Sequence, residues 1–142
     1  MTSANDYNRP LIEEFRANDG KVEGHFAGAP LLLLTTTGAK SGKSHTTPIV
    51  YLAEGDGADQ SIYVFASKAG APTNPAWYHN LRANPTVTVE LAGETFEARA
   101  QEVSGADRDR IWAEQKRVMP GFADYEQKTT RKIPVIALQR VG

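Results

Sequence analysis

The chain has 142 residues, no cysteine, and 16 Lys and Arg residues against 17 Asp and Glu residues, which gives a formal net charge of -1. A chain of this length can bury the core of one domain, and without cysteine it has no disulfide scaffold, thiolate metal site or Cys nucleophile. The near-zero charge argues against a nucleic-acid binder, which would show a basic face. His25, His45 and His79 lack the spacing of a metal site.

No low-complexity linker, repeat or charge block divides the chain, so we expect one domain over 1–142 with a helical extension at 1–20. The N-terminus lacks the basic start and apolar core of a signal peptide. The longest apolar run, at 29–34, is far too short to span a membrane. We therefore expect a cytoplasmic protein.

The first predicted element is a short amphipathic helix. Asn8-Arg9-Pro10 precedes Leu11, Ile12 and Phe15, which follow helical spacing, and Asn18-Asp19-Gly20 ends the segment. Packing on the core is the simplest role for its apolar face. Because the helix carries few basic residues, docking to a membrane or a partner is the weaker alternative.

Runs of apolar and β-branched residues then predict strands at 31–37, 46–52 and 61–66. The segment 86–100 is the clearest hairpin, with Ala92-Gly93 as its turn. One register sorts apolar and polar residues onto separate faces. It pairs Leu91 with Glu94, Val89 with Phe96, Val87 with Ala98, Glu90 with Thr95, and Thr88 with Glu97.

Helices surround this hairpin in the chain. Asn74 can cap a helix that has Pro75 at its first position and ends at Asn84-Pro85. A second helix is expected at about 106–118, and a short third one carries Phe122 and Tyr125 on one face. Residues 111, 112, 115 and 118 of the second helix should point inward. A last strand is expected at 133–138. Since strands mostly follow one another directly, the order favours an antiparallel sheet or small barrel with helices outside.

The segment 38–44 ends in Gly-Lys-Ser, but its glycines have three residues between them where a nucleotide-binding P-loop needs four. A strand pattern follows it instead of a helix, so we reject nucleotide triphosphate hydrolysis. Two glycines, two serines and the side chains of Lys40 and Lys43 can still bind a small anion through backbone N–H groups and positive charge. An ordinary solvated hairpin turn explains the segment equally well.

Small residues also end the third strand, at 66–70. They would let a flat ligand lie against the backbone, with Ser67 as a donor. A plain turn after a strand is the simpler explanation. Because the chain offers few nucleophiles, any enzymatic chemistry would come from a bound organic cofactor.

Taken together, these motifs resemble the deazaflavin-dependent nitroreductase family, actinobacterial reductases that use coenzyme F-420 and often act on quinones. The resemblance covers about residues 8–140. It implies a split β-barrel, the fold of flavin-mononucleotide-binding oxidases, with helices packed outside. The matching segments are 37–43 with Thr46-Thr47-Pro48 and Tyr51, then 65–70, then 74–81 with Asn84-Pro85, and finally 119–125 and 131–135.

The resemblance also implies roles for individual residues. The cofactor's phosphate and oligoglutamate tail would lie on Lys40, Ser41, Gly42, Lys43, Ser44 and His45, and the groove would continue along Thr46, Thr47, Pro48 and Tyr51. The deazaflavin ring would lie beside Ala66, Ser67 and Lys68, with Ser67 near its hydride-carrying carbon and counted as catalytic. The walls of the site would be Asn74, Trp77 and Leu81.

Two departures from the family pattern concern the site of the cofactor tail and the acceptor pocket. His45 replaces an arginine, so its contact with the anionic tail should be weaker and pH-dependent. Met119 and Phe122 replace tyrosines of nitroimidazole-activating relatives, which leaves Tyr125 as the phenol of the acceptor pocket and as a second catalytic candidate. The pocket formed by these three residues should therefore favour bulky apolar acceptors.

We accordingly expect a reductase that transfers a hydride from reduced coenzyme F-420 to quinones, to enones and lactones such as coumarins, or to nitroaromatics. Two alternatives stay open: a flavin-mononucleotide-dependent oxidoreductase of the same fold, and a non-catalytic protein that binds F-420 or an apolar ligand. Also open are pairing into a homodimer and peripheral membrane contact through the first helix. We expect no metal and no nucleic-acid partner.

Overall fold

The computed structural model describes residues 4–18, 30–55, 61–67, 74–91, 93–129 and 132–141. The helices are α1 (Ala4–Ala17), α2 (Ala76–Ala83), α3 (Gly105–Val118) and α4 (Gly121–Lys128). The strands are β1 (Leu31–Thr37), β2 (Ser44–Glu54), β3 (Ser61–Phe65), β4 (Thr86–Leu91), β5 (Glu94–Val103) and β6 (Val135–Arg140).

The strands close into an antiparallel barrel in the order β1-β2-β3-β6-β5-β4. The β4–β5 hairpin has the register expected from its apolar and polar alternation, including Val89 opposite Phe96 and Thr88 opposite Glu97. Closure comes from the β1–β4 ladder, in which Leu34 faces Val89. The split β-barrel expected from the resemblance is therefore confirmed.

One apolar cluster fills the barrel because alternate residues of every strand point inward. Its strand members are Leu32, Leu34, Ile49, Ile62, Val64, Val87, Val89, Ala98, Ala100, Ile136 and Leu138. Helix α2 adds Trp77, Tyr78 and Leu81 to the same cluster. It therefore lies against one end of the barrel, where it packs on β1.

The other helices cover the outside of the barrel. Ile12 and Phe15 of α1 pack on Leu31 and Leu33, so the apolar face of this helix is buried within the fold. Helix α1 begins before Pro10, which lies inside it, so the helix starts earlier than predicted.

Helices α3 and α4 pack together over β2, β3 and β6. Ile111, Trp112 and Gln115 of α3 are buried as expected. Val118 was wrongly expected to point inward, since 46% of its surface is exposed. The helix is ending there, and the buried positions of the next turn come from α4.

Helix α2 begins at Ala76, and Pro75 takes the N-cap position without a side-chain hydrogen bond. The predicted capping role of Asn74 is therefore wrong by one residue. Within the described ranges, no helix is long and apolar enough to cross a membrane. No group of three His, Asp or Glu residues there is placed to hold a metal ion.

Candidate functional site

The candidate residues meet at one end of the barrel. Because neighbouring strands run antiparallel, the last residues of β1, β3 and β5 lie at the same end as the first residues of β2, β4 and β6. This end carries the loop 38–43, the segment Ala66–Ser67 after β3, and helix α2. We call it the loop end of the barrel.

The loop 38–43 is a tight hairpin turn. The Gly38 N–H donates to the Lys43 carbonyl at 2.7 Å, and the Gly42 N–H donates to the Gly38 carbonyl at 3.0 Å. A Cβ atom on Gly38 would lie 2.4 Å from Ser41 Oγ and 3.0 Å from His45 Nε2, so a larger residue would require these side chains to move. Gly42 has a φ of 70°, a conformation that favours glycine.

The backbone of this loop is largely occupied within the protein. In addition to the two turn bonds, the Lys43 N–H donates to Ser41 Oγ at 3.2 Å, and the Ala39 N–H donates to Asn80 Oδ1 at 3.0 Å. Most of the backbone N–H groups that were expected to bind an anion therefore already have a partner within the protein. What the loop offers an anion is the exposed pair of lysines, Lys40 and Lys43, together with exposed serine hydroxyls.

Asn80 of α2 and Asn84, the residue that caps the end of this helix, hold the base of the loop, and the sequence indicated no site role for either. Asn80 donates from Nδ2 to Thr36 Oγ1 at 3.3 Å while it accepts from Ala39. Asn84 Nδ2 donates to the Thr37 carbonyl at 3.3 Å. Asn84 is the C-cap residue of α2, and its N–H donates to the Asn80 carbonyl at 2.8 Å. Their spacing of four residues is a signal in the sequence that could have paired them.

The strand β2 divides its candidate residues between two faces. Thr47 lies opposite Leu34 and His45 opposite Thr36, so both share the inward face with Tyr51. Burial raises the pKa of the Tyr51 phenol. Residues 44, 46 and 48 take the outward face, where the Thr46 hydroxyl lies 2.8 Å from that of Thr35.

A cleft of about 390 Å³ opens on the outward face beside Ser44. Four of its nine lining residues are threonines of β1 and β4, and Asn84 and Glu97 are among the others. Because Glu97 is the charged residue on its wall, this cleft suits neutral groups better than a polyanion.

The end of β3 gives the second part of the site. The β2–β3 ladder ends at the pair Tyr51 and Val64, while β2 continues to Ser44 along β1. The Ala66 N–H donates to the Pro134 carbonyl at 3.0 Å. Ser67 follows with 8% of its surface exposed. Lys68, the remaining candidate of this segment, lies outside the described residues.

The residues of the predicted acceptor pocket lie on α4 and at the C-cap of α3, near the same strand end. The Phe122 ring meets the Phe65 ring edge-on at 6.0 Å, which brings α4 next to the residues before Ser67. Phe122 itself is buried and serves as a core residue. Tyr125 is half-buried, 5.1 Å from the Phe122 ring. Met119 is half-buried too, and its sulfur accepts from Gln115 Nε2 at 3.5 Å.

A polar brace fixes α4 to α3. The Trp112 Nε1–H donates to the Glu126 carboxylate, and Lys116 Nζ lies 3.2 Å from the same group. The bond from Trp112 lowers the pKa of Glu126 more than any other contact. Helix α4, which carries the predicted pocket residues Phe122 and Tyr125, is therefore held to α3 by both apolar and ionic contacts.

The three predicted wall residues differ in exposure. Asn74 is half-buried just before α2, whereas Trp77 and Leu81 have 9% and 3% of their surface exposed. Trp77 and Leu81 pack inside the barrel. Their burial fixes the position of α2, and with it the two asparagines that hold the loop.

Comparison with known proteins agrees with this geometry. Residues 7–140 match the family model described as F420H(2)-dependent quinone reductase. A curated F420H(2)-dependent quinone reductase of Mycobacterium tuberculosis is 37% identical over 130 residues, which cover 89% of this chain and 85% of the relative.

Solved structures support the same relationship. One described as an F420-H2 dependent reductase is 39% identical with a TM-score of 0.68, over 78% of this chain and 94% of that one. Another, described as a domain-swapped dimer, is 36% identical with a TM-score of 0.70, over 96% of this chain and all of that one. The chain therefore belongs to the F420H(2)-dependent quinone reductase family, and coenzyme F-420 is the cofactor that this membership implies.

Proposed function

We propose that this protein transfers a hydride from reduced coenzyme F-420 to electron-poor acceptors: quinones first, and also enones and lactones such as coumarins, and nitroaromatics. The observation that carries the proposal is the joint placement of a basic loop and a buried strand end at the loop end of the barrel. An anionic tail and a flat ring need these two kinds of surface, and antiparallel pairing puts both toward the same end of the barrel.

The donor set of the loop fits the anionic part of the cofactor. Lys40 and Lys43 flank the turn, and the exposed hydroxyls of Ser41 and Ser44 add neutral donors. Charge-assisted hydrogen bonds of this kind are the stronger ones in proteins. Because most backbone N–H groups of the turn are already used, the affinity for the tail should depend chiefly on the two ammonium groups.

The ring fits beside the end of β3. Ala66 is fully buried with its N–H bonded to the Pro134 carbonyl, so the ring would approach Ser67, the next residue, which keeps 8% of its surface exposed and carries a hydroxyl. Bound at this place, the reduced cofactor supplies the hydride. The chain contributes position, and its apolar surroundings keep water away from the reacting atoms.

The acceptor would bind between this ring site and α4. Met119 and Phe122 give this side of the site an apolar character, which favours large hydrophobic acceptors such as quinones. Tyr125 is the phenol on that face, and we assign to it the donation of a proton to the reduced acceptor.

An assay of reduced F-420 oxidation tests the function directly. Purified protein is mixed with reduced F-420 and, in separate reactions, with menadione, a coumarin and a nitroaromatic, and the return of oxidised-cofactor absorbance is followed. We expect turnover with menadione above that with the other two. Absence of oxidation with all three acceptors would contradict the proposal. Copurification of a tightly bound yellow flavin would favour the flavin-mononucleotide alternative.

The variant Tyr125→Phe tests the proton donor. It should slow turnover by tenfold or more, since a positioned general acid contributes about 10²-fold or more, while the dissociation constant of F-420 stays as in wild type. Met119→Leu, which changes the same face without removing a proton donor, is the matched control. Turnover of Tyr125→Phe at the wild-type rate would remove Tyr125 from the mechanism.

We further propose that the protein forms a homodimer. The domain-swapped dimer among its structural relatives supports this, at 36% identity over almost the whole chain. Light scattering coupled to size exclusion would give twice the mass of the 15.5 kDa chain. A mass of one chain at all concentrations would contradict it.

A further inference from the structure

The loop that carries Lys40 and Lys43 is joined to the barrel core by side-chain amides. Asn80 Oδ1 accepts the Ala39 N–H at 3.0 Å, and its Nδ2 donates to Thr36 Oγ1 at 3.3 Å. Asn84 Nδ2 donates to the Thr37 carbonyl at 3.3 Å. We call these two residues the α2 amide clamp.

The clamp connects an exposed loop to a helix that is packed in the barrel interior. Residues 39–44 are exposed, so little packing restrains them. Helix α2 is held firmly, because its Trp77, Tyr78 and Leu81 side chains are buried in the barrel interior. The asparagines lie between the two, since Thr36 and Asn80 are buried or half-buried while Ala39 is exposed.

A flexible pair of lysines must lose conformational freedom before both can bind one anion, which lowers affinity. A loop whose base is fixed in advance has already lost part of that freedom. The clamp holds the backbone on the N-terminal side of Lys40, and the Gly38–Lys43 turn bond of 2.7 Å transmits the constraint to the other lysine.

We propose that Asn80 and Asn84 are positioning residues that set the affinity of the loop for the phosphate and oligoglutamate tail of F-420. They act through the backbone of the loop, by bonds to Thr36, Thr37 and Ala39, and the ring site does not depend on them. This inference rests on the proposed function, because it takes the tail of F-420 as the anion that the loop binds.

The test compares two ligands on three variants. The variants are Asn80→Leu, Asn84→Leu and, as a control, Asn18→Leu, which removes a similar amide bond to a backbone carbonyl at the end of α1. The ligands are F-420 and a deazaflavin analogue that lacks the phosphate and the oligoglutamate tail, and binding is followed by fluorescence titration.

We expect Asn80→Leu to weaken F-420 binding about tenfold, the effect of losing roughly one net hydrogen-bond contribution or slightly more. Asn84→Leu should weaken it less, because it loses one bond. Binding of the tail-less analogue should be unchanged in both. Equal weakening of both ligands would indicate general damage to the site and would overturn the positioning role.

A second measurement needs no cofactor. Amide hydrogen exchange at Ala39 should accelerate about tenfold in Asn80→Leu and stay as in wild type in Asn18→Leu. Unchanged exchange would overturn the clamp itself. If Asn80→Leu does not fold, the titration of Asn84→Leu carries the test, and wild-type affinity for F-420 in that variant would overturn the positioning role.

Different results would contradict the proposed function and the positioning role of the two asparagines. If wild-type protein does not bind F-420 at all, the proposed function fails, and the tail assignment of the loop fails with it. If wild-type protein binds F-420 and Asn80→Leu binds it equally tightly while exchange at Ala39 is faster, the function stands and only the positioning role is wrong.

Discussion

The interior of the barrel and its loop end are built on different principles. The interior is predominantly apolar, with Leu32, Val64 and Ile136 fully buried. The loop end holds its shape with hydrogen bonds between residues more than 40 positions apart, such as Ala39 with Asn80. The residues that make this protein stable are therefore separate from those proposed to face its ligand, although β2 runs through both regions.

The largest effect should come from the interior. Leu32→Ala removes a fully buried side chain and should destabilise the protein by about 2–5 kcal/mol, the usual cost of such a cavity. Urea denaturation measures this. F-420 affinity of the folded fraction should stay as in wild type. A loss of affinity together with stability would break the separation between the two regions.

At the loop we expect a smaller effect, which lowers F-420 affinity and leaves stability unchanged. The double variant Lys40→Ala and Lys43→Ala should weaken F-420 binding about tenfold or more and leave urea stability unchanged, because both side chains are exposed. Raising the ionic strength should weaken binding to wild type and have less effect on the variant, since salt screens exposed charges. Unaltered titration by the variant would show that the tail binds elsewhere.

The smallest effect should arise at the boundary between the regions. Tyr78 packs inside the barrel, and its hydroxyl donates to Glu102 at 2.5 Å. Burial, and next the bond to Glu102, raise the pKa of Tyr78 above its ordinary value of 10.0. The unfolded chain therefore loses this proton at lower pH than the folded protein, and stability falls as the pH rises beyond about 10.

Tyr78→Phe should cost about 1 kcal/mol at neutral pH, from the lost hydrogen bond. It should also reduce the decline in stability between pH 8 and pH 11, where Tyr phenols titrate. Urea denaturation at both pH values measures the difference. If the stability of Tyr78→Phe falls as steeply with rising pH as that of wild type, another titrating group causes the decline.

The sequence predicted the interior well because its signal is local. Alternation along 86–100 gave the β4–β5 register residue by residue, and the run at 31–37 gave β1 with its bounds. Both depend on side chains that alternate along one strand, a pattern that is written in consecutive residues. Helix ends were less well predicted, as Pro10 and Asn74 illustrate, since neighbouring packing decides them.

The loop end was predicted only in part, because its contacts join residues that lie far apart in the sequence. Its basic character was visible in Lys40 and Lys43, and the family resemblance brought Ser67 and α2 into the same site. The resemblance could not indicate that Asn80 takes up the Ala39 N–H, because that bond depends on how α2 lies across β1. The motif at 44–48 is contiguous in the sequence, but β2 puts residues 45 and 47 on its inward face and residues 44, 46 and 48 on its outward face.

That division has a consequence for how the family can vary in length. Inserting one residue inside β2, between Ser44 and Ile49, would exchange the two faces beyond the insertion, sending Thr47 outward and a neighbouring residue into the core. The same insertion at the tip, between Lys40 and Gly42, would leave the pairing of Thr37 with Ser44 intact. Length differences among relatives should therefore collect in the turn, while the strand beside it keeps a fixed number of residues.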